Sequence, residues 1–370
     1  MLGLYIHIPF CKRKCPYCDF VSYDSFDFLI DDYINALFDE LQSYKKKFNL
    51  SFKTIYIGGG TPSILSSKQL NNFFSKLFSI IEKKKIKEIT FEVNPGTLDN
   101  DKIKIMAENI TRVSIGVQSF NDDILKFIGR IHNSKDIFLT FDRLRKYKIM
   151  NINMDLIFGI PYQTVNDILN DIKNLGTVSP EHVSFYLFTV TDDKFKGEKL
   201  PDDKTIKEMY LKGIKELRKY GYLQYEISNF AKKNKRCIHN MNYWNCGEYI
   251  GIGISAASYF NGIRYENTDS IKEYIEKIKK GVSVIKNKEK ITDKIKLKEY
   301  IMLKLRTKAG IENDEFEKKF KFDFLKKYSN IIEKLEKEKF GKIKDKRFFL
   351  TEKGFLLSNE IIKKFWKGVL

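Results

Sequence analysis

Short apolar segments alternate with amphipathic segments through the first half of the chain. Apolar residues recur at helical spacing in the amphipathic segments, residues 33–44, 70–81, 136–147 and 165–175. The short segments are rich in Val, Ile, Phe and Tyr and carry few charges, which is typical of strands buried on both faces. They occupy residues 4–8, 54–57, 89–93, 112–117, 151–158 and 182–188. This alternation predicts an α/β fold with a parallel sheet.

Two architectures fit such an alternation. The parallel sheet can curve into part of a TIM barrel, or it can stay open in a doubly wound arrangement with helices on both faces. We predict a partial (β/α)6 TIM-like barrel over residues 1–200, and the doubly wound sheet is the alternative.

The pattern changes after about residue 192. A helix over 204–220, a strand over 223–230 and a Gly-rich apolar segment over 247–259 predict an extension of the barrel over residues 201–268. From residue 269 the chain is rich in Lys and mostly helical. It contains helix–turn–helix spacing, a hairpin-like segment at 342–351 and a final helix at 353–366, an order that resembles a winged helix. The third predicted domain, residues 269–370, is therefore winged-helix-like.

Composition and charge restrict the classes of protein. The chain is 42% hydrophobic and 31% charged, which allows a large core and excludes bulk disorder. No apolar run approaches the roughly 18 residues of a membrane span, and the first residues lack the pattern of a signal peptide, so the expected location is cytoplasmic. The net charge is +19, but Lys is spread along the whole chain, so nucleic-acid binding is not expected from charge. A small anionic ligand is compatible with it.

The cysteines are clustered. Three of the five, Cys11, Cys15 and Cys18, form a C-x3-C-x2-C string directly after the first predicted strand, whereas Cys237 and Cys246 are distant. An odd number of cysteines in a chain of this length is not a disulfide scaffold. The carboxyl end of a barrel strand is where barrels build their sites.

Three thiolates in one turn suit a soft metal centre. A [4Fe–4S] cluster held by three cysteines keeps one iron without a protein thiolate. Two alternatives remain at this point: a structural zinc site with His7 or Asp19 as the fourth ligand, and an incidental group of free thiols.

The string LYIHIPFCKRKCPYCDF, with aromatic Tyr17 just before the third cysteine, resembles the radical S-adenosylmethionine (SAM) superfamily. Within it, the string is similar to the branch that contains oxygen-independent coproporphyrinogen III oxidase and the HemW-type haem chaperones. The resemblance covers nearly the whole chain. It implies a [4Fe–4S] cluster on Cys11, Cys15 and Cys18, an electron donor for that cluster, and one-electron cleavage of SAM to methionine and a 5′-deoxyadenosyl radical.

Further motifs of the family follow in order. A Gly-rich string, GGGTP, occupies residues 58–62, and glycines let a backbone approach a ligand closely. Asp155 interrupts an apolar strand, where an isolated acid needs a function. Glu92 ends the third strand, and the alternative to a binding role is that its carboxylate is simply solvated there. By motif match the resemblance implies SAM contacts from Tyr5, Tyr17, Gly59, Gly60, Thr61, Glu92, Gln118, Arg130 and Asp155. Some of these positions form a second SAM site in the oxidase branch.

Three features favour the chaperone group over the oxidase. Phe20 stands where the oxidase pattern has a further cysteine, residues 239–244 (HNMNYW) match the group's H-N-x-x-Y-W motif, and no long extension precedes the first strand. The motif predicts His239 as a haem-iron ligand beside aromatic residues; the alternative is a histidine that orders a loop. Family members often carry His in the stretch that is Ala-Ala-Ser here, at 256–258. Cys237 and Cys246 flank the motif and could bind haem, but they are expected to be incidental thiols.

The sequence therefore predicts a radical SAM haem chaperone that binds haem and passes it to an unidentified acceptor protein, with no assigned catalytic residue. One alternative is coproporphyrinogen III oxidase, the only one that would make the chain an oxidoreductase. The other is an iron–sulfur DNA-binding regulator, which the acidic start of the segment 313–320 (NDEFEKKF) argues against.

Overall fold

Strands and helices alternate along the first half of the chain, as the sequence pattern predicts. The computed structural model describes residues 1–189, 195 and 197–368. The elements of the first half are β1 (Leu2–Ile8), α1 (Ile30–Lys47), β2 (Phe52–Gly59), α2 (Ser67–Ile80), β3 (Glu88–Val93), α3 (Asn100–Asn109), β4 (Arg112–Gln118), α4 (Asp122–Phe127), α5 (Ser134–Lys146), β5 (Ile152–Phe158), α6 (Val165–Val178) and β6 (His182–Leu187).

The pairing of β1 to β6 decides between the two predicted architectures. The strands neighbour one another in chain order, and each is parallel to the next. A doubly wound sheet would reverse its strand order partway across. The predicted partial TIM-like barrel is confirmed, and all six carboxyl ends open on the same side.

The buried positions explain why these segments form these elements. Leu4, Ile6 and Ile8 on β1 have no exposed surface, and full burial of such a side chain contributes about 1.5–3 kcal/mol. The apolar side of α1, which includes Leu37 and Leu41, packs into the same core. Side-chain caps fix where several helices begin; at α2, for example, Ser66 and Gln69 form a reciprocal capping box.

A second group of elements extends the sheet on both sides. Its members are α7 (Asp203–Lys219), β7 (Leu223–Gln224), β8 (Asn229–Ala231), α8 (Ile238–Trp244), β9 (Tyr249–Ile252), β10 (Ala257–Phe260), β11 (Ile263–Asn267), α9 (Ile271–Lys279) and β12 (Ile285–Lys290). In the described residues one sheet has the order β12-β11-β10-β9-β1-β2-β3-β4-β5-β6-β8-β7. Strand β1 thus pairs with β9 and β6 pairs with β8, so the described barrel stays open.

The single strand predicted over 223–230 is wrong. Residues 223–231 form the short antiparallel pair β7–β8. The reason is Glu226, a fully buried carboxylate that accepts a hydrogen bond from the Ser228 backbone N–H at 2.9 Å and another from the Asn229 side chain. A side chain that bonds to the backbone two residues later stabilises a turn rather than an extended strand.

The last part of the chain is mostly helical and carries a small sheet. It comprises α10 (Asp293–Leu305), β13 (Ile311–Glu312), α11 (Asn313–Phe320), α12 (Phe324–Lys327), α13 (Ser329–Lys337), β14 (Gly341–Lys344), β15 (Arg347–Leu350), α14 (Glu352–Leu356) and α15 (Ser358–Lys367). The strands pair antiparallel in the order β13-β15-β14. Phe316, Phe324, Phe348 and Phe365 form its buried centre. A mostly helical C-terminal domain with a hairpin is therefore confirmed.

The large sheet reaches Lys290 on β12, beyond residue 268, and the three predicted domain ranges stay a prediction. Over the part of the chain that the structure describes, no helix is both long and apolar enough to span a membrane.

Candidate functional site

The three clustered cysteines lie on a loop at the carboxyl end of β1. Hydrogen bonds between backbones pin the loop: Cys11 N–H donates to Tyr23 O at 2.8 Å, and Cys18 N–H donates to Cys15 O at 3.1 Å. Cys11 is 8% exposed, and the other two thiols are half-buried. The loop therefore presents its sulfur atoms at the open end of the barrel.

These cysteines line a cavity of about 400 Å³ at the carboxyl ends of β1 to β6. Most of the predicted SAM contacts line the same cavity, although they come from the strands β2 to β5 and from the loops after β1, β2 and α4. The predicted residues that line it are Cys11, Cys15, Tyr17, Cys18, Gly59, Gly60, Thr61, Glu92, Gln118, Arg130 and Asp155. The structure thus brings together residues that the sequence separates by more than a hundred positions.

The Gly-rich string lies against the cysteine loop too closely for side chains. A Cβ on Gly60 would lie 3.0 Å from Cys11 Sγ and 2.8 Å from Phe10 O, and one on Gly58 would lie 2.7 Å from the Glu92 carboxylate. Gly59 also has a φ of +115°, a conformation that glycine favours. Glycine is needed here because two chain segments and a carboxylate converge at one edge of the cavity.

Arg130 places a permanent positive charge beside the cysteine loop. Its Nη1 donates to Tyr17 OH at 3.3 Å and to Cys15 Sγ at 3.8 Å, and its Nη2 donates to Asn94 Oδ1 at 2.7 Å and to Gly116 O at 2.8 Å. A cation held in this way stabilises negative charge on the sulfur atoms.

Glu92 and Asp155 place two buried carboxyl groups inside the barrel. Glu92 accepts hydrogen bonds from Tyr56 OH at 2.7 Å and from Gly59 N–H at 3.2 Å. Burial, with a smaller contribution from the nearby Asp155, raises the pKa of Glu92 to about 7. Burial also raises the pKa of Asp155, which accepts a hydrogen bond from Asn153 Nδ2 at 2.7 Å. Both carboxyls can accept hydrogen bonds from hydroxyl or ammonium groups of a ligand.

Gln118 ends β4 in a left-handed conformation, with a φ of +71°. The β4–β5 register shifts between Ile115 and Gln118. Left-handed backbone costs a non-glycine residue about 1–2 kcal/mol, and such positions are common at binding sites. The bend directs Gln118 into the cavity, where it is a lining residue.

Sequence reasoning missed several residues of this cavity. Asn94 joins two predicted contacts, because its Nδ2 donates to Thr61 Oγ1 at 2.9 Å while its Oδ1 accepts from Arg130. Tyr56 positions Glu92. Arg112 lines the cavity although it is only 2% exposed, and its buried Nε has no hydrogen-bond partner among the described residues. Asn94 follows Glu92 closely in FEVNPGTL, but that motif did not indicate a link to Arg130.

The donor set fits an iron–sulfur cluster better than zinc. Zinc needs four ligands that converge on one point, and within the described ranges no group of three His, Cys, Asp or Glu side chains could hold a single metal ion. His7, a suggested fourth ligand, has both ring nitrogens in hydrogen bonds, Nδ1 with Tyr5 OH at 2.9 Å and Nε2 with Val21 O at 2.8 Å. The thiolates of a cluster bind separate irons, so sulfur atoms spread along one wall suit it.

Metal binding at this loop would have to displace protons. Burial raises the pKa of the Cys11 and Cys18 thiols. Thiolates are the form that binds metal, so binding releases protons. The adjacent Arg130 acts in the opposite direction to burial and lowers the pKa of Cys11.

Two predicted contacts lie away from this cavity. Tyr5 lines a neighbouring cavity instead. His239 is 1% exposed; its Nδ1 is hydrogen-bonded to Thr54 Oγ1 at 2.8 Å and its Nε2 to Tyr243 OH at 2.7 Å. Since both nitrogens are engaged in the interior, this arrangement favours the alternative in which His239 orders a loop.

Comparisons with known proteins match the chain over nearly its whole length. The model of the radical SAM superfamily matches residues 5–175, and that of the HemN C-terminal domain matches residues 291–357. Heme chaperone HemW of Lactococcus lactis is 36% identical over 98% of this chain and 96% of its own length. Heme chaperone HemW of Bacillus subtilis is 34% identical over 99% of both chains.

The fold has a solved counterpart. Coproporphyrinogen III oxidase (HemN) of Escherichia coli, a radical SAM enzyme, superimposes with a TM-score of 0.85 over 98% of this chain and 89% of that one. The sequence identity is 22%, so this likeness supports the fold alone. The full-length identity to the HemW proteins goes further. The chain belongs to the radical SAM superfamily and, within it, to the family of HemW heme chaperones.

Proposed function

We propose that this protein is a radical SAM haem chaperone, which binds haem and delivers it to an acceptor protein in the cytoplasm. The observation that carries the proposal is the cavity in which the three cysteines meet the residues matched to SAM binding, in a chain whose full-length relatives are named heme chaperones.

Cys11, Cys15 and Cys18 would hold a [4Fe–4S] cluster. When bound, such a cluster supplies a single electron and one iron that no cysteine occupies. Arg130 would stabilise charge at Cys15 from its position 3.8 Å away. A separate protein would donate the electron.

The remaining residues of the cavity would bind and orient SAM. The backbone of Gly59, Gly60 and Thr61 would let SAM lie close to the cysteine loop. Glu92 and Asp155 would accept hydrogen bonds, and Gln118 would offer both a donor and an acceptor. Tyr17 adds an aromatic wall beside Arg130.

Two measurements on one preparation test the proposal. After anaerobic reconstitution the protein should hold about four irons per chain. Titration with haemin should then give a saturable Soret change, and the haem should pass to an apo-haem protein on mixing. Turnover of coproporphyrinogen III to protoporphyrinogen IX with SAM and a reductant would instead support the oxidase alternative, and a reconstituted protein that takes up no haem would refute the proposal.

A further inference from the structure

A second cavity, of about 920 Å³, lies beside the cavity that the three clustered cysteines line. Its walls come from three parts of the fold: the edge of the barrel at β1, the extension strands β9 to β11, and helices α10 and α11 of the C-terminal domain. Its volume lies at the upper end of the range for sites that bind cofactors and other small molecules. Sequence patterns do not indicate this cavity, because it exists only where these parts pack together.

The walls of this second cavity suit a flat aromatic ligand. Tyr249 and Tyr259 line it, and Tyr243 packs edge-on against Tyr249 with 4.7 Å between the ring centroids. Met302 and Leu303 on α10 add apolar surface. Tyrosines combine a large apolar face with a polar edge, which matches a porphyrin with its apolar ring and carboxylate arms.

Cationic side chains also line the second cavity. Lys296 on α10 and Lys319 on α11 come from the C-terminal domain. Arg264, also in the lining, is already paired with Glu299. Lys319 Nζ lies 4.9 Å from the centroid of the Tyr300 ring, so it is held over an aromatic surface. Lys296 Nζ lies 3.3 Å from Asp293 Oδ1 in an exposed ion pair, and the acids Asp19 and Glu266 also line the cavity. Exposed ion pairs are weak, so both lysines can still pair with two carboxylates of a ligand.

Cys246 places a soft metal ligand in the same lining. It follows the end of α8 with a φ of +54°, at a position where glycine is usually preferred. Its backbone N–H donates to Tyr243 O at 2.9 Å, which fixes the turn. Burial raises the pKa of the Cys246 thiol, while Lys319 and Lys304 act to lower it.

We propose that haem binds in this second cavity, with Cys246 Sγ as an axial ligand of the iron and with Lys296 and Lys319 beside the propionates. This inference rests on the proposed haem-chaperone function and assigns it a site. As the Fe–S bond forms to ferric haem, the thiol proton leaves for solvent and the iron keeps its oxidation state. Cys246, expected from the sequence to be incidental, thereby becomes the haem ligand.

The second cavity adjoins the cysteine-lined cavity, because the two share lining residues. Asp19 and Phe20 of the cysteine loop line both of them. Phe20 is 61% exposed, which is a large fraction for a phenylalanine. A porphyrin in the second cavity would cover this ring.

The test is haemin titration of the reconstituted full-length protein and three variants. Cys246→Ser should bind haem at least about tenfold more weakly than the wild type. After the haem is reduced and carbon monoxide is added, the variant should also lack the red-shifted Soret band that a thiolate ligand gives. Cys237→Ser is the matched control, because this second free cysteine is fully buried outside the cavity, and it should keep both. Ala257→Trp, which fills the cavity from β10, should abolish haem binding without changing circular dichroism or SAM binding.

A charge variant tests the propionate contacts separately. Lys319→Glu should weaken haem binding, whereas Lys318→Glu, the same charge change one residue away from the lining, should not. If wild-type protein binds haem and neither Ala257→Trp nor Cys246→Ser alters the titration, the assigned site is wrong and the proposed function stands. If wild-type protein binds no haem, the proposed function itself fails. Loss of binding in Ala257→Trp with an unchanged spectrum in Cys246→Ser would overturn the axial ligand.

Discussion

Replacing Glu92 by Gln should stabilise the metal-free protein at alkaline pH. Burial raises the pKa of this carboxyl from 4.5 to about 7, so the folded state holds its proton more tightly than the unfolded state. The carboxyl therefore costs little stability below pH 4.5 and destabilises the folded state increasingly as pH rises to 7. At one pKa unit per 1.36 kcal/mol the full cost is about 3 kcal/mol above pH 7.

Urea unfolding of the metal-free chain at pH 5.5 and pH 8 measures this effect. The wild-type protein should lose about 2 kcal/mol more stability between these pH values than Glu92→Gln does. The variant should also bind SAM more weakly. Asp171→Asn is the control: burial raises the pKa of Asp171 to about 7 as well, but it lies outside the cavity, so it should change stability and leave SAM binding intact. Equal pH dependence in wild type and Glu92→Gln would refute the reasoning.

Three further outcomes are expected. Gly59→Ala should destabilise the fold by more than about 1 kcal/mol in urea unfolding, because its Cβ would lie 2.6 Å from the His7 ring. Gly262→Ala is the control, since it has a φ of +71° but nothing within 4 Å, and it should cost less. Equal losses of unfolding free energy in the two variants would contradict the steric argument. Cys15→Ala should lose the iron–sulfur absorbance after anaerobic reconstitution, and a full iron content would exclude it as a ligand. His239→Ala should cost about 1–3 kcal/mol in urea unfolding, since it leaves the buried Thr54 hydroxyl and the half-buried Tyr243 hydroxyl without their partner. It should keep the haem titration of the wild type, and loss of the Soret change would instead restore His239 as a haem ligand.

The fold was predictable where the signal is local. Apolar runs such as residues 151–158 indicate buried strands because a strand of a parallel sheet is covered on both faces. The position of Cys11 after such a run then places the cysteine loop at the carboxyl end of the barrel. Chain order of the strands was not fixed by periodicity, which is the same for a barrel and a doubly wound sheet.

What escaped prediction depends on specific polar contacts, several of them between residues that are distant along the chain. Asn94 gains its role only by meeting Arg130, which lies 36 positions away along the chain. The turn at Glu226 depends on side-chain hydrogen bonds, which apolar content alone does not reveal. His239 matches a binding motif in sequence, but tertiary packing buries its ring between Thr54 and Tyr243.

Asp19 and Phe20 line both the cysteine-lined cavity and the second cavity. A ligand in either cavity that moves these two residues changes the binding free energy of a ligand in the other cavity, and thermodynamic linkage makes the two changes equal. Haem release would then depend on what occupies the cysteine-lined cavity, although no single ligand contacts both cavities.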